Sequence, residues 1–231
     1  MDRNIFRAVG SLAIPPSTMW RYRESFEAFR YFLQSIIGRI IRVFYRPQVP
    51  HNPENKIYLH LGCGEVNHPL FVNVDVIPAP HVHYVRSIDN LSIFKNESVD
   101  LVYASHCLEH FPMRAINSVL REWNRVLRPQ GILRLSVPDF DTLLKIYFEN
   151  DKDVTPLLGA LVGGQTYFHN YHKVIFTEKS LALSLTTAGF SEVRQWTPGS
   201  SELTTIDDWS SRPISVNGKE YKISLNIEAV K

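Results

Sequence analysis

Apolar and polar positions alternate along this chain in different ways on either side of residue 50, and the two patterns predict different elements. Between residues 17 and 45 the apolar positions Phe26, Phe29, Leu33, Ile36, Ile37, Ile40 and Phe44 recur at spacings of three and four, with Arg30, Arg39 and Arg42 elsewhere on the circumference. That period predicts one amphipathic helix with a broad apolar stripe, capped by Ser17 or Thr18 and stopped at Arg46-Pro47. From residue 56 onward the apolar runs become short and nearly continuous, at 56–61, 71–76, 82–86 and 99–104, as expected of strands buried on both faces. Helical periods lie between and after them. Residues 113–127 place Ile116, Val119, Leu120, Trp123 and Leu127 on one side, Asp139 caps a helix to about Glu149, and 177–188 ends at Gly189 in the position after the C-cap. A short helical turn is expected near Glu65–His68. Further strands are expected at 132–137, 191–197 and 222–230, the last preceded by the hairpin signal Asn217-Gly218.

Strands alternating with helices predict an α/β fold with a mostly parallel, doubly wound sheet, whose ligand crevice lies at the C-terminal ends of the strands. Residues 1–50 form an extension, an arm to Pro16 followed by the amphipathic helix, and 51–231 form the main domain. Pro50 and Pro53 mark the linker between them. Residues 151–176 read as an insertion, with Gly163-Gly164 as a hinge and a polar, aromatic tail Tyr167-Phe168-His169-Asn170-Tyr171-His172-Lys173.

The chemistry concentrates where the first strand runs into two glycines, Leu59-His60-Leu61-Gly62-Cys63-Gly64. A buried strand ending in such a turn lets the backbone approach a ligand closely. The second strand ends in Asp75, and a glycine turn followed by an acid at the next strand tip is an arrangement that holds a ribose. An adenosine derivative is expected. The dinucleotide fingerprint wants a third glycine where this chain has Asn67 and an acid about twenty residues on, so a nicotinamide-dependent oxidoreductase fits poorly.

With Leu61-Gly62-Cys63-Gly64 stand three more segments: Phe71-Val72-Asn73-Val74-Asp75, the run from Ser98 through Ser105-His106-Cys107-Leu108-Glu109-His110, and Leu127-Arg128-Pro129-Gln130-Gly131-Ile132-Leu133. In this order and spacing the chain resembles the class I S-adenosylmethionine-dependent methyltransferases, in particular the compact bacterial-type, type-11-like group, over roughly residues 56–137. The resemblance implies a Rossmann-like seven-stranded sheet and S-adenosylmethionine as cofactor. The cofactor-binding set it implies is Leu61, Gly62, Cys63, Gly64, Asp75, Val76, Ile88, Asp89, Ser105 and His106, with Asp89 accepting from the adenine amino group. Where many members carry an acid two residues before the first glycine and a glycine two after the second, this chain has His60 and Val66.

Methyl transfer to oxygen also needs a base, and a histidine near neutral pKa is the usual agent. His106, just past the fourth strand, and His169 or His172, in the insertion, are the candidates. His110 shares the face of His106 if a helical turn starts there, and Glu109 reads as a carboxylate supporting them. Two histidines three apart also suggest metal, but no cysteine or obvious third carboxylate accompanies them, and no metal site is expected.

Charge and cysteines narrow the function further. Residues 1–50 hold eight arginines against three acids, so the chain's net +2 divides into +5 there and −3 in the rest. A net-acidic main domain argues against nucleic acid, which needs clustered cations. The expected acceptor is a small molecule or a glycan, methylated at oxygen. Helix 17–45 is expected to dock on the core, on a second copy of the chain, or on a membrane surface, since aromatics beside arginines suit the headgroup boundary. Two cysteines, Cys63 and Cys107, are too few for a disulfide framework, and with no apolar run long enough to span a bilayer a cytoplasmic protein is expected, peripheral at the inner membrane face if the helix binds lipid. The competing class is a module that binds S-adenosylmethionine without turnover.

Overall fold

The computed structural model of the chain describes residues 16–231 apart from Arg46, Pro53, Glu202, Thr205 and Ile206. The expected arm before Pro16 lies outside the described residues.

Seven strands form the central sheet: β1 (Tyr58–Leu61), β2 (Val72–Asp75), β3 (Tyr84–Val85), β4 (Val99–Ser105), β5 (Leu127–Pro138), β6 (Ser191–Gln195) and β9 (Ser224–Val230). Their order is β3-β2-β1-β4-β5-β9-β6. β1 to β5 run parallel, and β9 lies antiparallel to both β5 and β6. This is the expected Rossmann-like sheet of mostly parallel strands. Its strands β1, β2 and β4 are buried almost throughout, as in a sheet covered on both faces.

α2 (Ile116–Val126) and α5 (Glu178–Thr187) contribute to the larger core, where Ile116, Val119, Leu120, Trp123, Leu181 and Leu185 join Leu59, Leu61, Val102 and Leu133. Trp123 is fully buried and satisfies its indole N–H by donating to the carbonyl of Ile88 at 2.8 Å. α5 starts on a capping box in which Thr177 and Ser180 exchange backbone and side-chain hydrogen bonds, as a helix N-terminus requires. A second apolar cluster unites Tyr58, Phe71, Leu101, Tyr103 and Trp196, and a third joins α3 (Phe140–Glu149) to Leu157, Val216 and Ile223.

Two local expectations are corrected. Residues 65–68 form no helix; the chain turns there through a hydrogen bond from Val66 N–H to the Cys63 carbonyl at 2.9 Å. The strand expected at 132–137 starts earlier, at Leu127, and residues 128–131 are an irregularity inside β5, between the pairs Val99↔Leu127 and Leu101↔Ile132, where Gln130 has φ +65. Gly163 and Gly164 lie at a close crossing of the covering segment. A Cβ on Gly163 would fall 2.5 Å from the Asn170 carbonyl oxygen, and one on Gly164 would fall 2.7 Å from the Asn170 side chain. The pair lets the segment after α4 (Leu158–Val162) cross itself closely, held by Gln165 N–H to Asn170 O at 2.8 Å and His172 N–H to Val162 O at 3.1 Å.

The Asn217-Gly218 signal yields a hairpin of its own, β7 (Pro213–Val216) with β8 (Lys219–Lys222), separate from the main sheet. Both turn residues have positive φ, which the twist of a two-residue hairpin demands.

The N-terminal helix, α1 (Pro16–Phe44), appears as expected. It meets the domain through Gly38, whose ideal Cβ would overlap Pro78 at 2.2 Å, and through Arg42, which donates to the His83 carbonyl at 3.1 Å. Among the described residues no helix is long and apolar enough to cross a membrane.

Candidate active site

Parallel pairing aligns the ends of β1 and β4, with Leu61 opposite Ala104, so the loops that follow leave the sheet side by side. The two glycines of the first loop do different jobs. Gly62, at φ +64, packs against the second loop, and a Cβ there would sit 3.0 Å from the Cys107 Cβ. Gly64, at φ +54, has nothing within 4 Å of its Cβ direction and opens onto a cavity. Asp75 braces the turn from below: its carboxylate accepts from the Gly64 N–H and from the Ile77 N–H, each at 2.8 Å. His81 donates through Nε2 to the Gly64 carbonyl at 2.9 Å.

The cavity has a volume of about 560 Å³, within the range of small-molecule sites. One wall is the glycine turn with His60; another is the end of β4, Ser105 and His106; Gly164 and His172 belong to the segment that covers it. His60 is buried between Phe71 and Tyr103, and burial pulls its pKa down to about 3, so it is a neutral ring. Its Nδ1 is buried without a hydrogen-bond partner among the described residues and belongs to a residue that lines the cavity. Cys63 and Cys107 are both free and buried, and burial pushes both thiols up, so neither is a ready nucleophile.

Past β4 the chain enters the left-handed region at His106, φ +50, an uncommon conformation for a residue with a side chain, and then makes a 3-10 turn over Leu108–His110. The result is a group of three imidazoles around one carboxylate. Glu109 is fully buried. His106 Nδ1 lies 3.3 Å from its Oε1 and His172 Nε2 lies 3.9 Å from the same oxygen, while the His110 and His172 rings meet edge to face at 4.9 Å. Burial pushes the Glu109 carboxyl up, but His106 and the other two imidazoles more than offset it and hold it below its ordinary value. Burial is also the main influence on His172 and lowers its pKa against the pull of Glu109, so the ring is neutral at pH 7.

The hydrogen bonds sort the histidines by availability. The Ser224 hydroxyl donates to the Trp209 carbonyl at 2.5 Å, so it accepts from His106 Nε2 at 2.7 Å. With Nδ1 against Glu109, both nitrogens of His106 are committed. His110 and His172 each spend Nδ1–H on a backbone carbonyl, Tyr171 at 3.2 Å and Ala160 at 2.8 Å, which leaves each Nε2 with its lone pair.

Of the residues singled out in the sequence, Gly62, Cys63, Gly64, Ser105, His106 and His172 line this one cavity. Leu61 is in the core, Asp75 lies beneath the turn, Val76 and Ile88 fall outside the cavity wall, and Asp89 and His169 are exposed and not part of that wall. The sequence reading missed the loop around Asp208, Trp209 and Arg212, which closes the cavity from the far end of the chain. Asp208 accepts from the Tyr103 hydroxyl at 2.6 Å, and the Arg212 guanidinium stands 6.0 Å from the Trp209 ring centre. Only the crowding of acids, an aromatic and an arginine in Asp207–Arg212 hinted at it. It also missed Glu109 as the carboxylate partner of His172, because 63 residues separate them.

Residues 71–135, from β2 into β5, match a family described as a methyltransferase domain. Two relatives, the ubiquinone/menaquinone biosynthesis C-methyltransferases UbiE of Vibrio vulnificus strains YJ016 and CMCP6, are each 31% identical over 94 residues, which is 39% of this chain and 35% of theirs. The chain thus spans about a third of the length of these curated relatives. Among solved structures, an S-adenosylmethionine-dependent methyltransferase of Thermotoga maritima is 19% identical, with 92% of this chain and 96% of that one covered at a TM-score of 0.48. The Burkholderia thailandensis 1,6-didemethyltoxoflavin-N1-methyltransferase, with bound 1,6-didemethyltoxoflavin and S-adenosylhomocysteine, is 16% identical over 86% of this chain and 76% of its own, at a TM-score of 0.46. The glycine turn, the acid after β2 and the seven-stranded sheet thus surround a segment, residues 71–135, that is similar to a methyltransferase domain.

Proposed function

We propose that the protein methylates an oxygen of a small hydroxyl-bearing or saccharide-type acceptor, with 51–231 as the catalytic domain and 151–176 as the cover over the acceptor. The observation that carries this reading is that one cavity joins the Gly64 turn to the imidazoles of His110 and His172. S-adenosylmethionine, bound at that turn, supplies an electrophilic methyl group on a sulfonium centre. Two features suit it: the open side of Gly64, which a Cβ would fill, and the buried, unsatisfied Nδ1 of His60. Leu61 to Gly64, Asp75, Val76, Ile88, Asp89, Ser105 and His106 are the residues that would hold it. Asp75 keeps a second lone pair on each oxygen for ribose hydroxyls after its two backbone hydrogen bonds.

The chain's own contribution is position, exclusion of water and a place for a proton. His172 is neutral, its Nδ1–H is held by Ala160, and its Nε2 lone pair takes the acceptor's hydroxyl proton. Glu109, 3.9 Å away, stabilises the imidazolium that forms. His169, exposed on the cover, is the less suited of the two insertion histidines. α1 serves as an attachment face, for a membrane surface or for a second copy of the chain.

Calorimetric titration with S-adenosylmethionine and separately with NAD, followed by transfer of labelled methyl to a panel of hydroxylated small molecules and sugars, tests the reading. S-adenosylmethionine is expected to bind and label to reach oxygen. His172→Ala is expected to slow transfer by about 10²–10⁴-fold at pH 7 with cofactor affinity unchanged. Cofactor binding with no transfer to any acceptor would leave a binding module, and transfer to carbon or nitrogen alone would refute the oxygen acceptor.

A further inference from the structure

We infer that Glu109, His110 and His172 form a binding site for a divalent transition cation of the Zn²⁺ or Co²⁺ class, facing the acceptor end of the cavity. Each residue offers a ligand atom, and these atoms lie within 4.8 Å of one another. Two independent observations go beyond proximity. Glu109 is fully buried; Oε1 is approached by imidazoles, His106 Nδ1 at 3.3 Å and His172 Nε2 at 3.9 Å, while Oε2 has no hydrogen-bond partner among the described residues. A buried carboxylate with an unmet oxygen is costly, and a bound cation is one of the few groups that offsets it. Second, His110 and His172 both donate Nδ1–H to backbone carbonyls, the outer-sphere arrangement that fixes an imidazole with Nε2 unprotonated for a metal.

The fold holds the three together by design of the backbone. Glu109 and His110 share the 3-10 turn after β4, and the covering segment is pinned to that turn by Lys173 N–H donating to the Glu109 carbonyl at 2.8 Å. Metal bonds of about 2.0–2.2 Å place tetrahedral ligands roughly 3.3 Å apart. His172 Nε2, at 3.9 Å from Glu109 Oε1, needs only a small side-chain rotation to reach that separation. Two imidazoles and one carboxylate favour Zn²⁺, Co²⁺ and their neighbours over the all-oxygen preference of Ca²⁺ and Mg²⁺. His106 Nδ1, 3.3 Å from the same Oε1 and with its ring held by Ser224, keeps the carboxylate oriented.

The cation site stands on this geometry alone, and its use in the reaction rests on the oxygen-acceptor reading above. An acceptor hydroxyl oxygen takes the remaining coordination position, its pKa falls, and its proton leaves to solvent, so the cation replaces the His172 lone pair as the agent of deprotonation.

Full-length protein stripped with a chelator and titrated with Co²⁺, without cofactor or acceptor, tests the site by visible absorption and by melting temperature. One equivalent per chain is expected, with a ligand-field band and a melting temperature that climbs with cation concentration. Loss of an outer-sphere partner costs about 10–100-fold in affinity, so His172→Asn and His110→Asn should each cost at least that much. Their folding is checked by circular dichroism, and Glu109→Gln is added where it folds. His51→Asn should leave uptake unchanged. No saturable uptake by the wild type, or full uptake by folded His172→Asn, overturns the site. Uptake without oxygen methylation leaves the site standing and refutes the acceptor reading, whereas methylation without uptake overturns the site alone.

Discussion

α1 and α2 are both amphipathic helices with apolar residues at spacings of three and four, yet the fold treats them in opposite ways. α2 buries Ile116, Val119, Leu120, Trp123 and Val126. α1 leaves Phe29, Phe32 and Ile40 at 56%, 60% and 56% exposed. The difference lies in how each helix is tied. α2 is followed directly by β5 and lies close behind β4 in the chain, so its stripe is laid on the sheet. α1 joins the domain by one end through a linker, and the residues with which it touches the domain, Gly38 and Arg42, are four apart on the side of the helix away from the stripe. A periodic stripe announces that something will cover it, and the covering partner is a matter of tethering and contact.

Three variants probe that contrast. Trp123→Ala should have the largest effect, about 3–5 kcal/mol of stability by urea unfolding, because it opens a cavity in the core and strands the Ile88 carbonyl. A loss under 1 kcal/mol would mean that the α2 face is far looser than its burial indicates. Gly38→Val comes next. Its side chain would overlap Pro78, so α1 should detach, with faster proteolysis at the 45–57 linker and an unchanged urea transition for the domain. Unchanged protease resistance would show that the helix is held by other contacts. The smallest effect belongs to the triple variant Phe29→Ser, Phe32→Ser, Ile40→Ser, where each exposed change should alter stability by no more than about 0.5 kcal/mol. The same variant should lose pelleting with anionic vesicles if the stripe meets lipid, or dissociate in sedimentation if it meets a second copy. A melting temperature several degrees lower with neither loss would show the stripe packed on its own domain.

Much of the fold was legible in residues 56–137, because strands buried on both faces must be apolar throughout and helices between them must carry a stripe. The 127–138 strand was read short, since Arg128-Pro129-Gln130-Gly131 looks like a turn and is one, inside a continuing ladder. The close crossing at Gly163-Gly164 was not legible for a related reason: glycine pairs permit hinges and close crossings alike, and the contact with Asn170 is set by the tertiary structure. In the site, Gly64 and Asp75 were legible through local backbone chemistry. The division of labour between Gly62 and Gly64 was not, because it depends on Cys107 arriving from the neighbouring strand.

The sequence by itself determined the order of strands and helices, the glycine turn and the acid that braces it, and the hairpin at Asn217-Gly218, since each rests on interactions among residues close in the chain. The tertiary structure alone decided which histidines have a free nitrogen, that Glu109 is the carboxylate beside His172, that Asp208 and Trp209 close the cavity, and which side of α1 faces away from the domain. Those outcomes depend on contacts between segments tens of residues apart, and burial and tautomer are set by such contacts rather than by residue type.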